Sequence, residues 1–208
     1  MQHLFRTLGF LKCCVAVASC DNLLATALDS LKSNFDNGLG GTLPAARYQV
    51  DPHLSSTESL LAAWALAHSH PNWAQQEINS QLKGQWDNGM LPKIRFQSGY
   101  DEDWLKGTIY PGPSTWNQRH QDGEHQGESF NTTSLAALPL HAEVVLQVYD
   151  LSPRSVEDRE WLTQVVPKLY AYHAYLHSPQ RSLPGSSLVY LGNTRMKGKR
   201  PYHSAYLD

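Results

Sequence analysis

QLKGQWDNGMLPKIRF, residues 81–96, begins as the end of a helix and continues as a loop rich in polar and aromatic groups. We predict the helix over about 72–83, because Pro71 suits its first turn and Gly84 its end. The next residues, WDNG at 86–89, place an indole beside a carboxylate and an amide. Sugar rings have apolar CH faces and a rim of hydroxyl groups, so this combination is typical of a sugar site.

Helical patterns dominate the rest of the chain. The first predicted helix ends at DNGLGG, residues 36–41, because its glycines suit positive φ. The second helix has an apolar stripe of Leu61, Trp64, Ala65 and His68, with Ser56 or Thr57 as its cap. The last helix begins at SVED, a capping signature, and carries a stripe through Trp161, Val165, Leu169, Tyr172 and Leu176. Strand-like alternation is confined to SSLVYL at 186–191, so we predict an all-α protein with further helices over 20–35, 54–68, 133–149 (interrupted by Pro139) and 155–177 (kinked at Pro167).

Two architectures fit helical hairpins joined by long loops. A solenoid of helix pairs should repeat every 33–47 residues or so, and the sequence shows no such period. A toroid closes its hairpins around a pocket built from the loops at one end. Residues 97–130 have no hydrophobic period and are rich in Gly, Pro, Asp and Glu, which is typical of a functional loop. The toroid is therefore the favoured interpretation.

Composition excludes several classes of function. The chain has 208 residues and a formal net charge of −2, which gives no field to attract a phosphate backbone. Its one dense basic run, RMKGKR at 195–200, has no interleaved aromatic residues, so no nucleic-acid partner is predicted. No apolar stretch reaches the ~18 residues of a membrane span. The three cysteines, Cys13, Cys14 and Cys20, all lie near the N-terminus and provide no disulfide framework for the body of the chain.

The N-terminal segment leaves two interpretations open. FRTLGFLKCCVAVASC, residues 5–20, has a basic residue, an apolar run and small residues, like a weak secretion or lipoprotein signal ending at Cys20. Lys12 interrupts the apolar run, which favours the start of a core helix and a cytoplasmic location instead. We expect an N-terminal extension at 1–19, a main domain at 20–192 and a divergent basic tail at 193–208.

Carboxylates in the loops are the candidates for chemistry on a glycosidic bond. Inverting hydrolysis needs an acid and a base about 6.5–9.5 Å apart. The sequence alone does not pair the loop carboxylates, which are Asp51, Asp87, Asp101, Asp103, Asp122, Glu124 and Glu128. His120, Glu124 and His125 match no strong metal-binding spacing, and no nucleophile elbow is present, so neither a metal nor a serine triad is predicted.

Several segments together resemble one family. QLKGQWDNGMLPKIRF, YPGPSTW (110–116), TTSLAALPLHAEVVLQVYD (132–150) and VVPKLYAYHAYL (165–176) follow the order and spacing of the inverting (α/α)6-barrel glycosidases. That family includes mannosylglycerate hydrolase and the processing α-glucosidase of glycoprotein maturation. RSLPGSSLVYLG, at 181–192, also resembles the segment after the long helix of the barrel. The resemblance covers about residues 20–192.

The resemblance implies a six-hairpin toroid of twelve helices that hydrolyses a small α-linked sugar or glycoside without a metal or an organic cofactor. It implies an Asp acid and a Glu base from different loops. The loop carrying NGMLP lies at the pocket end in such enzymes, and Asp51 matches an Asp that contacts sugar there, although Val50 replaces the expected Trp. The predicted substrate-binding residues are Asp51, Trp86, Asp87, Asn88, Gly89, Met90 and Trp116.

Departures from the family pattern indicate an altered site. Lys93 stands where a His is expected, and residues 137–140 read Ala-Leu-Pro-Leu where the family has Thr-Gln-Pro-Pro. Arg200 occupies the position of the general acid, and a guanidinium cannot donate a proton at neutral pH. We therefore expect a partial toroid of five or six helices that does not hydrolyse sugars alone and that self-associates through unpaired hairpin faces. The alternative is a helical module that binds a protein or a sugar.

Overall fold

The computed structural model describes residues 22–43, 53–97, 132–133, 135–179 and 181, and within them the fold is mainly helical. Five helices and four short strands follow one another in these ranges. The order is α1 (22–33), β1 (Phe35–Asp36), β2 (Gly41–Thr42), β3 (His53–Ser55), α2 (Ser56–Ala67), α3 (Pro71–Lys83), β4 (Ile94–Phe96), α4 (His141–Leu151) and α5 (Val156–Leu176). The predicted fold class is confirmed.

The helices form two hairpins that pack on a common core. α2 and α3 are joined by a tight turn at 68–70, and α4 and α5 by a short connection at 152–155. Both helices of the first hairpin contact α4, and α3 also contacts α5. Buried apolar side chains from all four helices meet between them: Leu60, Ala63, Leu66, Ala67, Ala74, Ile78, Leu82, Val144, Val145, Val148, Trp161, Val165, Tyr172 and Leu176.

α5 has the capping box that the sequence predicts. The Ser155 hydroxyl accepts a hydrogen bond from the Asp158 amide at 3.2 Å, and the Asp158 carboxylate accepts one from the Ser155 amide at 2.9 Å. The predicted stripe of α5 is buried at Trp161, Val165 and Tyr172. Reciprocal capping therefore fixes the start of the longest helix, which contributes Trp161, Val165, Tyr172 and Leu176 to the core.

The predicted face of α2 is wrong. Leu61 and Trp64 are 55% and 42% exposed, whereas Leu60 and Ala63 are buried against the other helices. α2 is apolar on all sides, so its periodicity does not select a face. Its small residues decide instead, because alanines and serines let α3 approach closely. The helix also begins at Ser56, without the predicted side-chain cap, since Leu54 belongs to β3.

The second correction concerns the predicted helix over 133–149, whose first residues are not helical. Thr132 and Ala136 form isolated β-bridges with Arg95 and Pro92, and α4 begins only at His141. Pro139 has no amide hydrogen to donate to a helix, and Thr132 and Ala136, which precede it, pair with the neighbouring segment instead. Ala136 in this segment packs against Trp86 and Met90.

Four short strands, which the sequence does not predict, pair in two antiparallel ribbons. β1 and β2 pair in a hairpin turned at Gly40, whose φ of +74° suits glycine. β3 pairs antiparallel with β4, with Leu54 opposite Arg95. The predicted strand at 186–191, the loop at 98–130 and all three cysteines lie outside the described residues. Within the described ranges, no helix combines the length and the apolar character that crossing a bilayer requires.

Candidate functional site

The WDNG motif forms a tight turn directly after α3. The Gly89 amide donates to the Trp86 carbonyl at 2.8 Å, and the Trp86 amide donates to the Met90 carbonyl at 2.9 Å. The Asn88 side chain accepts from the Met90 amide at 3.0 Å. The turn is thus closed by its own backbone and by one amide side chain.

Gly89 brings the turn against α5. Its φ is +90°, and a Cβ built on it would lie 2.3 Å from the Ala171 carbonyl oxygen. That distance leaves no room for any side chain. Gln85 reinforces the contact, because its side-chain amide donates to the Gly89 carbonyl at 2.9 Å and to the Lys168 carbonyl at 2.8 Å. The turn is therefore docked on the long helix through glycine and glutamine.

Trp86 connects the turn to the extended segment beyond the loop. Its indole is 8% exposed, packs with Met90 and Ala136, and donates through Nε1 to the Thr132 hydroxyl at 2.9 Å. Backbone hydrogen bonds also join the chain after the turn to the chain before α4. The Ala137 amide donates to the Leu91 carbonyl at 2.8 Å, and the Lys93 amide donates to the Leu135 carbonyl at 2.8 Å. The indole is a structural link in this wall, with little of its face available to a ligand.

The predicted binding residues fall into three groups. Asp87 and Asn88 are exposed at the tip of the turn. Trp86, Gly89 and Met90 are buried beneath it. Asp51 and Trp116 lie outside the described residues. The role of all seven in binding stays a prediction, and the exposed pair is the part of the motif that a ligand can reach directly.

A buried carboxylate that the sequence does not single out lies on α3, the helix that precedes the turn. Glu77 on α3 is fully buried, and its Oε1 accepts hydrogen bonds from both the amide (2.6 Å) and the hydroxyl of Thr42 in β2. Its Oε2 faces the Ser59 hydroxyl without reaching hydrogen-bond geometry. Burial raises the pKa of Glu77 to about 7 against the hydrogen bonds from Thr42, which lower it. The signal in the sequence was a carboxylate between Ala74 and Ile78 on the core side of α3.

His141 is the second buried ionisable group. Its Nε2 lies 3.2 Å from the Ser56 hydroxyl, and its ring meets the Tyr172 ring edge to face at 5.6 Å between centroids. Burial lowers the pKa of His141 to about 4, opposed by the Leu138 backbone carbonyl. The imidazole is therefore neutral at physiological pH and links the starts of α2 and α4 to α5.

Metal-binding groups are sparse in the part of the chain that the structure describes. No three His, Cys, Asp or Glu side chains there lie close enough together to hold an ion. His120, Glu124 and His125 lie outside the described residues. The chemistry available at the turn is hydrogen bonding by one carboxylate and one amide beside a partly apolar wall.

Comparisons with known proteins agree with this arrangement. The mannosylglycerate hydrolase of Rubrobacter radiotolerans is 28% identical over 141 residues, which are 67% of this chain and 30% of that protein. The glucosylglycerate hydrolase of Mycolicibacterium hassiacum is 28% identical over 180 residues, which are 81% of this chain and 38% of that protein. The chain thus spans between 30% and 38% of the length of these curated relatives.

Solved structures show the same relationship. The GH63 mannosylglycerate hydrolase from Thermus thermophilus in complex with Tris and D-glycerate superposes with a TM-score of 0.60 at 27% identity. The superposition covers 76% of this chain and 34% of that chain. The complex of the same enzyme with glucose superposes with a TM-score of 0.55 at 26% identity, over 74% of this chain and 33% of that chain.

The helical hairpins, the docked WDNG turn and these relatives define the class as glycoside hydrolase-like. Residues 51–196 match the model of the mannosylglycerate hydrolase MGH1-like glycoside hydrolase domain. The chain belongs to that family. The relationship to six-hairpin glycosidases that the sequence motifs indicate is therefore confirmed.

Proposed function

We propose that the chain forms one wall of a pocket for a small α-linked glycoside, with Asp87 and Asn88 as its hydrogen-bonding edge. The observation that carries the proposal is the exposed position of these two side chains on a turn that glycine and glutamine hold against α5. A carboxylate and an amide suit the hydroxyl groups of a sugar. The named relatives act on mannosylglycerate and glucosylglycerate, so a hexose linked to glycerate is the substrate class we propose.

The proposed site binds without hydrolysing. Arg200 stands at the position of the general acid in the resemblance above, and the family match ends at residue 196, before that position. Leu138 stands where the resemblance implies a substrate-contacting amide, is 41% exposed, and follows Ala137, whose amide donates to the Leu91 carbonyl. Both changes remove groups that catalysis or binding would use. A rate of aryl α-glycoside hydrolysis above that of the buffer, lost in Asp87→Asn, would contradict this part of the proposal.

Ligand-detected NMR tests binding directly. Saturation transfer to glucosylglycerate or mannosylglycerate should be observed with the parent chain and should be lost in Asp87→Asn. The matched control is Asp29→Asn, which changes an exposed carboxylate on α1. Trp86→Ala is a poor probe, because removing a buried indole would disrupt the turn itself. Equal transfer in Asp87→Asn and the parent would exclude the turn as the sugar site.

A helical interaction module is the second candidate, and the exposed face of α2 favours it. Leu61 and Trp64 lie one turn apart on that face, both more than a third exposed. Neighbouring apolar side chains of this kind are typical of association sites. We propose that this face pairs with a second copy of the chain. Sedimentation should show a dimer that Trp64→Ser converts to monomer, while Tyr170→Ser, on α5, should have no effect. A parent chain that is monomeric at all concentrations would refute the pairing.

A further inference from the structure

Two histidines lie next to each other on the exposed surface of α5. His173 and His177 are four residues apart, a spacing that places both side chains on one face of a helix. Their ring centroids are 4.3 Å apart with an angle of 37° between the planes. Both side chains are exposed. The imidazoles are thus already neighbours and are accessible from solvent.

This geometry matches the demands of a late transition-metal ion. Metal–nitrogen bonds of about 2.0–2.1 Å require two coordinating nitrogens to be about 3 Å apart. Rings at 4.3 Å between centroids reach that separation by small side-chain rotations. The same His-to-His spacing on a helix supplies two ligands in zinc metalloproteases.

The position of the two histidines at the C-terminal end of α5 also favours the binding of a cation. His177 is the C-terminal cap of α5, and its amide donates to the His173 carbonyl at 3.1 Å. The last carbonyls of a helix carry partial negative charge, which favours a cation there. Ala171, which contacts the WDNG turn, lies about 200° around the helix from His173. The pair is therefore separate from the proposed sugar site.

We propose that His173 and His177 form a two-imidazole site for a divalent late transition-metal ion, with water in the remaining coordination positions. No third ligand of the usual kinds completes the cluster among the described residues. Nitrogen ligands give the order Cu²⁺ above Ni²⁺ and Zn²⁺, and exclude Mg²⁺ and Ca²⁺, which require oxygen. The ion clamps the last turn of α5.

Titration calorimetry with NiCl₂ on the full chain tests the site. One equivalent should bind, and His173→Gln and His177→Gln should each weaken binding at least roughly tenfold, because chelation needs both rings. The double variant should bind Ni²⁺ only slightly more weakly than either single variant. His68→Gln is the matched control, since His68 caps α2 as His177 caps α5. MgCl₂ should give no binding heat.

Electron paramagnetic resonance with Cu²⁺ provides an independent readout. The parent chain should show coupling of copper to two imidazole nitrogens, and each single variant should lose one of them. The proposal is overturned if the parent does not bind Ni²⁺, if His68→Gln weakens binding as much as the α5 variants, or if both α5 variants bind like the parent. Unchanged circular dichroism of the variants separates loss of ligands from loss of fold.

Discussion

Glu77→Gln should stabilise the protein above neutral pH and leave its stability nearly unchanged in mild acid. Burial raises the pKa of Glu77 from 4.5 to about 7, so the folded chain holds a proton that the unfolded chain has already released. The contribution of Glu77 to the stability of the parent therefore falls as pH rises from 4.5 to 7 and is then level. A difference of two to three pKa units corresponds to roughly 3 kcal/mol of unfolding free energy.

Glutamine imitates the protonated acid in this position. Its side-chain oxygen can accept the hydrogen bonds from Thr42, and its NH₂ group would face the Ser59 hydroxyl, which has an acceptor to offer. The variant consequently keeps the contacts of the neutral form at every pH. We expect it to match the parent at about pH 4, to exceed it by roughly 1 kcal/mol at pH 5 and by about 3 kcal/mol near pH 8.

The contribution of His141 to the stability of the parent changes with pH in the opposite direction. Its pKa is lowered from 6.5 to about 4, so its contribution is present above pH 6.5 and is lost as pH falls through 4. Between about pH 4.5 and 6.5 the two groups offset one another, each with about 1.4 kcal/mol per pH unit. In Glu77→Gln only the contribution of His141 remains, so the stability of the variant rises with pH over this range.

Urea unfolding at several pH values measures the difference. The midpoint of the variant should move to higher urea relative to the parent as pH increases, with an unchanged dependence on denaturant. Glu143→Gln, an exposed position on α4, is the matched control. Parallel stability curves for the parent and Glu77→Gln across this pH range would refute the assignment of Glu77 as a buried, protonated acid.

Three further substitutions test separate parts of the structure. Gly89→Ala should destabilise the fold by roughly 1–3 kcal/mol or more, because the added Cβ meets the Ala171 carbonyl and φ is positive; thermal unfolding measures this. Ser155→Ala should cost about 1 kcal/mol by removing the capping box of α5, seen as a lower melting temperature than for Thr163→Ala. Leu138→Gln should strengthen glycoside binding about fivefold, worth about 1 kcal/mol, by adding a hydrogen-bonding amide. Leu140→Gln, equally exposed at 41%, should not, and equal effects of the two would contradict a specific contact.

The sequence predicts the features that depend on local chemistry. α3 begins at Pro71 and ends at Lys83 as expected, and the SVED signature caps α5. Local rules succeed there because a capping residue or a proline acts through its immediate neighbours. The family motifs led to the correct class because several occur together in order.

Tertiary packing decides the features that the sequence analysis missed. The buried face of α2 depends on how closely α3 approaches, which no periodicity within α2 records. Thr132 and Ala136 form β-bridges instead of helix because a partner segment about forty residues away pairs with them. Trp86 is a further example, because its burial depends on Thr132 and Ala136 as well as on Met90 of its own loop.

The contact between Gly89 and Ala171 has a consequence for how this sequence can change during evolution. Substitution at 89 is penalised by the helix whether or not a sugar binds, so glycine should persist there even in relatives that have lost activity. Asp87, two residues earlier in the chain, is exposed at the tip of the same turn. Retention of Gly89 across a lineage would then report selection for folding, even in members that no longer bind a sugar.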